Sequence, residues 1–143
     1  MRKSIHDMLA EARSHLDRLE PAEAHAAVAT GALLVDTRSE DQRLHQGSIP
    51  GSLHIPLSIL EWRIDPDSGY QHSAIESLDA HIVLICEGGY SSSLAAHRLK
   101  QLGFKRATDV IGGFNAWKAA NLPVVEAQPH PRSSTGSRKR RGR

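Results

Sequence analysis

The sequence contains one cysteine and few aromatic residues, and both shortages exclude kinds of protein. Cys86 has no partner cysteine in the chain, so an intrachain disulfide scaffold and a cysteine-rich zinc site are excluded. Aromatic residues make up 4% of the 143 residues, so the core must be largely aliphatic. No run of about eighteen apolar residues occurs, which excludes a membrane-spanning helix. The length is that of one domain with short extensions.

The chain also lacks the marks of export and of metal binding. Charged residues and His6 interrupt the stretch that would have to be the apolar part of a signal peptide. We therefore expect a cytoplasmic protein with no membrane partner. The nine histidines show no spacing typical of metal ligands, so we predict no metal site.

Positive charge is concentrated at the C-terminal end. Residues 132–143 hold six basic and no acidic residues, which leaves 12 basic and 16 acidic residues in the rest of the chain, a net charge of −4. We expect residues 128–143 to form a disordered basic tail, because they offer almost nothing to bury. Nucleic acid is not an expected partner, apart from weak, salt-sensitive contacts of this tail.

The rest of the chain divides at Pro21. Residues 1–20 have the apolar spacing of an amphipathic helix, with Ser4 as its N-cap and Asp7 as capping-box partner. Pro21 ends this helix or begins the next one. Over residues 21–127 short apolar runs alternate with amphipathic stretches, a pattern that predicts an α/β domain with a mainly parallel sheet.

Cys86 lies at the end of the clearest buried strand, residues 82–85, and precedes a loop with two glycines and a helix. Ligands of open α/β sheets bind beyond the carboxyl ends of the strands. The N–H groups of a tight glycine loop and the start of a helix attract anions, which lowers the pKa of a thiol placed among them. Cys86 is therefore a candidate nucleophile. A structural core cysteine is the other interpretation of the spacing.

A strand, a cysteine, a loop and a helix also describe the tyrosine-phosphatase type of site. That chemistry needs an arginine six residues after the cysteine to clamp the phosphoryl oxygens. Ser92 occupies this position, which disfavours a thiol-based phosphatase or arsenate reductase.

Three segments of the chain, in order, resemble single-domain rhodaneses. They are LLVDTRSEDQRLHQGSIPGSLHIPL at residues 33–57, VLICEGGYSSSLAAHRL at 83–99 and VIGGFNAWKAANLPV at 110–124. The resemblance covers roughly residues 21–125. It implies a rhodanese-like α/β fold, with a central, mainly parallel five-stranded sheet and helices on both faces.

The same resemblance implies sulfurtransferase chemistry without a cofactor other than a transient cysteine persulfide. The donor would be thiosulfate or a persulfide, and the acceptor cyanide, a thiol or a protein. Cys86 would be the nucleophile. The residues that would cradle its persulfide are Glu87, Gly88, Gly89, Tyr90, Ser91 and Ser92.

The resemblance also implies supporting residues upstream of the loop. Asp36 and Arg38 match the family's Asp-x-Arg after the first strand. We expect Asp36 to hydrogen-bond the backbone near the active loop and Arg38 to pair with an acid, a surface ion pair being the alternative. Arg43 lies near the place where some members carry a substrate-facing arginine.

Glu87 departs from the pattern of thiosulfate-specialised members, which often carry arginine or lysine in this loop. A carboxylate on an acidic domain predicts poor steering of thiosulfate and favours a persulfide donor. A solvent-facing Glu87 is the alternative. At the level of function, the alternative is a non-catalytic rhodanese-like binding or regulatory module. Such modules often lose the cysteine, so its retention favours the enzyme.

Overall fold

Four short parallel strands form the sheet of this protein. The computed structural model describes residues 1–127, so the tail predicted over residues 128–143 lies outside the described residues. The spatial order of the strands is β2-β1-β3-β4. Their bounds are β1 Leu33–Asp36, β2 Leu53–His54, β3 Ile82–Ile85 and β4 Thr108–Asp109. Every pair of neighbours is parallel, which confirms the predicted α/β class.

Helices cover both faces of the sheet. They are α1 Ile5–Ser14, α2 Pro21–Ala29, α3 Glu40–Gln46, α4 Leu60–Ile64, α5 Ser91–Gln101 and α6 Gly113–Ala119, with a 3₁₀ turn at Leu57–Ile59 before α4. The expected capping box of Ser4 and Asp7 is present, and Pro21 lies in the first turn of α2. α1 ends at Ser14, six residues earlier than predicted, and the chain from 15 to 20 crosses to the edge of the sheet.

Alternation along the central strand divides the core into two layers. Ile82 and Leu84 of β3 pack with residues of α4 and α5 on one face, and Val83 and Ile85 pack with residues of α2 and α6 on the other. All four side chains are fully buried. Because both faces are covered, the strand has to be apolar throughout, as its sequence is.

Within residues 1–127 the sheet has four strands, where five were predicted. At the edge beside β4, the missing strand is reduced to one parallel bridge between Leu19 and Val110. The Leu19 N–H donates to the Asp109 carbonyl at 3.1 Å, and the Leu19 carbonyl accepts from Ile111 at 2.9 Å. Pro21 begins α2 two residues later. Its ring has no N–H for a sheet ladder, so the pairing ends after one residue.

Candidate active site

Cys86 lies at the C-terminal end of β3, at the base of a cavity of about 510 Å³. The thiol is buried, with the residue 7% exposed. The Gly89 N–H donates to Sγ at 3.2 Å, and Sγ lies 3.2 Å from the Ser92 hydroxyl, to which the thiol donates. The parallel strands therefore place the sulfur where ligands of α/β sheets bind.

Opposing effects act on the pKa of the Cys86 thiol. Burial raises the pKa, since it disfavours the charged thiolate. Hydrogen bonds from the Ser92 and Ser91 side chains, and from the Ser92 and Gly89 N–H groups, lower it and prevail. The pKa of Cys86 therefore lies below its ordinary value, and the thiolate is populated at lower pH than in a free thiol.

The start of α6 orients the loop that follows Cys86. The Phe114 N–H donates to the Cys86 carbonyl at 2.7 Å, and the Asn115 N–H donates to the Glu87 carbonyl at 3.1 Å. In a planar trans peptide the N–H points opposite to its carbonyl. Tying these two carbonyls to α6 therefore turns the following N–H groups, those of Glu87 and Gly88, away from α6.

A buried carboxylate beneath the loop was not identified from the sequence. Asp109 is fully buried and accepts from the Ser92 hydroxyl at 2.7 Å and from the Ser93 hydroxyl at 2.8 Å. Arg18 pairs with it, Nε lying 2.8 Å from Oδ1. Arg13 and Arg18 also donate to the Gly89 carbonyl. The available signal was an acidic residue inside the strand predicted at 107–111, which is otherwise uncharged.

Asp36 and Arg38 form a buried ion pair beside the site. Arg38 Nη2 lies 2.8 Å from Asp36 Oδ2 and Nε lies 3.0 Å from Oδ1, with both side chains at most 1% exposed. The pair is thus internal rather than on the surface. The Asp36 carboxylate accepts from the backbone N–H and the guanidinium of Arg38 and from Arg43. Arg43 points to Asp36 and does not line the cavity.

Glu87 lies at the wall of the cavity and is held in place. Its Oε1 accepts from Gln42 Nε2 at 2.8 Å and from Gln46 Nε2 at 3.1 Å. These bonds from Gln46 and Gln42, together with the charge of Arg38, lower the pKa of the Glu87 carboxyl. Glu87 therefore brings a negative charge to the cavity instead of extending freely into solvent.

The structure brings most of the predicted site residues to one cavity. Its lining includes Cys86, Glu87, Gly88, Tyr90, Ser91 and Arg38. Gly89 and Ser92 lie behind this lining, against the sulfur. Among the residues that the structure describes, Arg38 is the one base in the lining, and it is already paired with Asp36. Within residues 1–127 there is no group of three or more acidic, histidine or cysteine side chains placed to hold a metal. Nor does any helix in that range have the length and apolarity needed to cross a membrane.

A parallel sheet with a cysteine, a glycine loop and a helix at its carboxyl edge is consistent with the rhodanese fold, and the match of a family model shows that this chain belongs to the rhodanese-like domain family. The family's sequence model matches residues 20–120. The predicted resemblance is thereby confirmed. Residues 1–19, which include α1, precede the match.

Individual relatives agree with this assignment. The chain is 35% identical over 102 residues to thiosulfate sulfurtransferase GlpE of Pseudomonas savastanoi pv. phaseolicola, covering 71% of this chain and 87% of GlpE. It is 38% identical over 82 residues to the adenylyltransferase and sulfurtransferase MOCS3 of Arabidopsis thaliana, of which it spans only 18%. These relatives confirm sulfurtransferase as the predicted enzyme class.

A similar solved structure comes from Rhodopseudomonas palustris. It superimposes with a TM-score of 0.79 at 35% identity, covering 87% of this chain and 96% of that one. It is a protein of unknown function described as a possible tyrosine phosphatase. In the present chain, Ser92 stands where phosphatase chemistry needs an arginine, and its hydroxyl contacts Sγ.

Proposed function

We propose that this protein is a sulfurtransferase that carries sulfane sulfur as a persulfide on Cys86. The Cys86 thiolate attacks the outer sulfur of a donor and forms an S–S bond, while the bond from that sulfur to the rest of the donor breaks. With thiosulfate the products are the Cys86 persulfide anion and sulfite. Attack of cyanide on the outer sulfur then gives thiocyanate and restores the thiolate, and a thiol acceptor reacts in the same way.

The observation that carries this proposal is the surroundings of the Cys86 sulfur. The Gly89 N–H donates to Sγ, and the cavity opens directly from it. The Glu87 and Gly88 N–H groups point away from α6, because α6 binds the carbonyls of the same two peptides. Such fixed donors stabilise a thiolate, and they can stabilise the anionic outer sulfur of a persulfide without reorganising.

The charge of the cavity favours a persulfide donor over thiosulfate. Thiosulfate carries two negative charges, and Glu87 meets it with a third. Among residues 1–127, Arg38 is the one base that lines the cavity, and its guanidinium is turned to Asp36, which Arg43 also binds. A small-molecule or protein persulfide brings less negative charge to the cavity. We therefore infer that thiosulfate is a slow donor and that the acceptor is a thiol or a protein thiol.

Intact-mass spectrometry tests the reaction. The wild-type protein and Cys86→Ser are incubated briefly with thiosulfate or with a small-molecule persulfide, and the mass of one added sulfur is sought. We expect the adduct on the wild-type protein alone, formed faster with the persulfide. Cyanide should remove it with release of thiocyanate.

Two results would contradict this function. If neither donor produces an adduct, the chain is a non-catalytic module of the rhodanese fold. If the protein forms no adduct but hydrolyses p-nitrophenyl phosphate in a Cys86-dependent way, it is a phosphatase despite Ser92.

Exchange of Glu87 tests the donor preference. Glu87→Arg replaces a repelling charge with an attracting one and should lower the KM for thiosulfate about tenfold, in line with the reach of electrostatic steering. Glu87→Gln is the matched control for loss of charge alone and should lower it less. The effect should shrink in high salt. An unchanged KM in Glu87→Arg would refute the argument from cavity charge.

The cytoplasm, predicted from the sequence, remains our proposed location. The transient persulfide is the one covalent group that the proposed cycle requires. Neighbouring genes, such as those for sulfur oxidation or cofactor thiolation, would narrow the acceptor further.

A further inference from the structure

The N-terminal segment, residues 1–19, lies outside the match to the family model but reaches the active-site loop. α1 packs on α5, the helix that follows the loop. The bridge between Leu19 and Val110 then fixes the end of the segment to the edge of the sheet. Between these two anchors the segment directs Arg13 and Arg18 beneath the loop.

Both guanidinium groups bind the same backbone oxygen. Arg13 Nη2 donates to the Gly89 carbonyl at 2.7 Å and Arg18 Nη2 donates to it at 3.0 Å. Each arginine has a second partner that fixes its direction. Arg13 Nε donates to Ser93 Oγ at 3.1 Å, and Arg18 Nε donates to Asp109 Oδ1 at 2.8 Å.

Arg13 also contacts the residue that closes the loop. Its guanidinium carbon lies 5.6 Å from the centre of the Tyr90 ring, within the range of a cation–π interaction. Tyr90 lines the cavity, so Arg13 touches the loop from behind at two consecutive residues.

The Gly89 carbonyl is the third loop carbonyl that is held from outside. The Cys86 and Glu87 carbonyls are held by N–H groups of α6. Because peptides are planar, binding the Gly89 carbonyl turns the Tyr90 N–H to the opposite side. It also restrains Gly89, whose own N–H donates to Sγ. The two arginines thus fix the end of the loop, and α6 fixes its beginning.

We propose that residues 1–19 are a positioning element of the active site, in which Arg13 and Arg18 hold the Gly89 peptide so that the loop presents its N–H groups to the sulfur of Cys86. The inference rests on the proposed function for its catalytic meaning and on the contacts above for its geometry. Arg13 and Arg18 are positioning residues, since neither touches the sulfur.

Arg13→Gln tests the proposal without leaving a buried charge unpaired. Arg18 is less suitable, because its removal would strip the buried Asp109 of its cation. The matched control is Lys3→Gln, which removes one positive charge and the ion pair with Glu11 at the start of the same segment, far from the loop. Arg13→Lys, which keeps the charge and one donor, is the conservative rescue.

The readouts are the pH profile of Cys86 alkylation by iodoacetamide, the kcat and KM of sulfur transfer from a small-molecule persulfide, and the melting temperature. For Arg13→Gln we expect a profile displaced to higher pH and a lower kcat, by less than the roughly 100-fold that outright loss of one fixed donor costs. KM should change little, because Arg13 does not line the cavity. Arg13→Lys should recover most of the rate, and Lys3→Gln should match the wild type.

A wild-type alkylation profile and kcat in Arg13→Gln would overturn the proposal. So would a lowered melting temperature with an unchanged profile, since the segment would then only stabilise the fold. Failure of the proposed function is distinguishable. If the wild-type protein accepts no sulfur, sulfurtransferase activity is refuted, while the alkylation profile still shows whether Arg13 tunes the loop around Cys86.

Discussion

A single hydroxyl proton links the reactivity of Cys86 to the buried carboxylate beneath it. Ser92 lies 3.2 Å from Sγ and donates to Asp109 at 2.7 Å, and its one proton cannot serve both at once. In the thiol form the S–H donates to Ser92. When the thiolate forms, the Ser92 proton can turn to the sulfur, because Asp109 still has Arg18 and Ser93 as donors.

Ser92→Ala is therefore expected to raise the pKa of Cys86, since it removes the principal hydrogen bond that lowers that pKa. The thiolate fraction at neutral pH then falls, so alkylation there should be several-fold slower, with the same plateau at high pH. The measurement is the pH dependence of the alkylation rate.

Ser93→Ala is the matched control for this prediction. Ser93 is also buried and also donates to Asp109, but it has no hydrogen bond with Sγ. It should move the profile less than Ser92→Ala does. Because Ser93 also accepts from Arg13, equal displacement in both variants would mean that the buried network of Asp109 and Arg13, and not contact of Ser92 with the sulfur, sets the pKa of the thiol.

At the scale of elements, the loop after β3 can dock on the start of α6 because glycines lie on both sides of the contact. Gly89 has a φ of +85°, and a Cβ added to it would lie 2.7 Å from the Gly112 nitrogen. Gly113, at the start of α6, would likewise overlap the Cys86 carbonyl if it carried a side chain. α6 can therefore hold the loop carbonyls only because Gly89 and Gly113 bring no side chain to the contact.

Gly89→Ala should disrupt this docking, and Gly51→Ala is its matched control. Gly51 has a φ of +82° but open space around its Cα. We expect Gly51→Ala to cost about 1 kcal/mol of unfolding free energy, the strain of a left-handed alanine. Gly89→Ala should cost about 1–3 kcal/mol more, the usual penalty of overpacking.

Sulfur transfer should separate the two variants further. A loop displaced by about 1 Å can cost 100-fold in rate, so Gly89→Ala should lose most activity while Gly51→Ala keeps it. Chemical denaturation and steady-state rates measure the two effects. Equal stability and activity in both variants would contradict the docking argument.

At the scale of the whole molecule, the site is assembled from the two ends of the described chain as well as its middle. The N-terminal segment supports the loop from below through Arg13 and Arg18. Near the other end, Val125 pairs with Ser48, next to Gly47, whose carbonyl accepts from Arg38. Residues near both ends of the described chain therefore contribute contacts that surround the site.

The charge of the molecule is likewise uneven. The chain up to residue 131 is acidic, and the cavity carries Glu87, whereas the six basic residues at 132–143 lie outside the described residues. Weak, salt-sensitive contacts of that tail with nucleic acid stay a prediction, as does the division of the chain at residues 20 and 127.

Features that depend on neighbours in sequence were predictable. The capping box of Ser4 and Asp7 spans four residues, and the apolar run of β3 shows its burial on both faces. Cys86 could be singled out because a buried strand, a glycine loop and a helix start follow one another directly. The number of strands was not predictable in this way, since Pro21 shortens the edge strand to one bridge.

The sequence by itself determined the α/β class, the place of Cys86 at the end of a buried strand and the family. These follow from local periodicity, from turn chemistry and from three family motifs that occur in the expected order along the chain. Only the tertiary structure decided what surrounds the thiol. Arg13 and Arg18 meet the Gly89 carbonyl across 76 and 71 residues, and Arg18 meets Asp109 across 91. Partners so far apart leave no periodic pattern, because folding and not spacing along the chain brings them together.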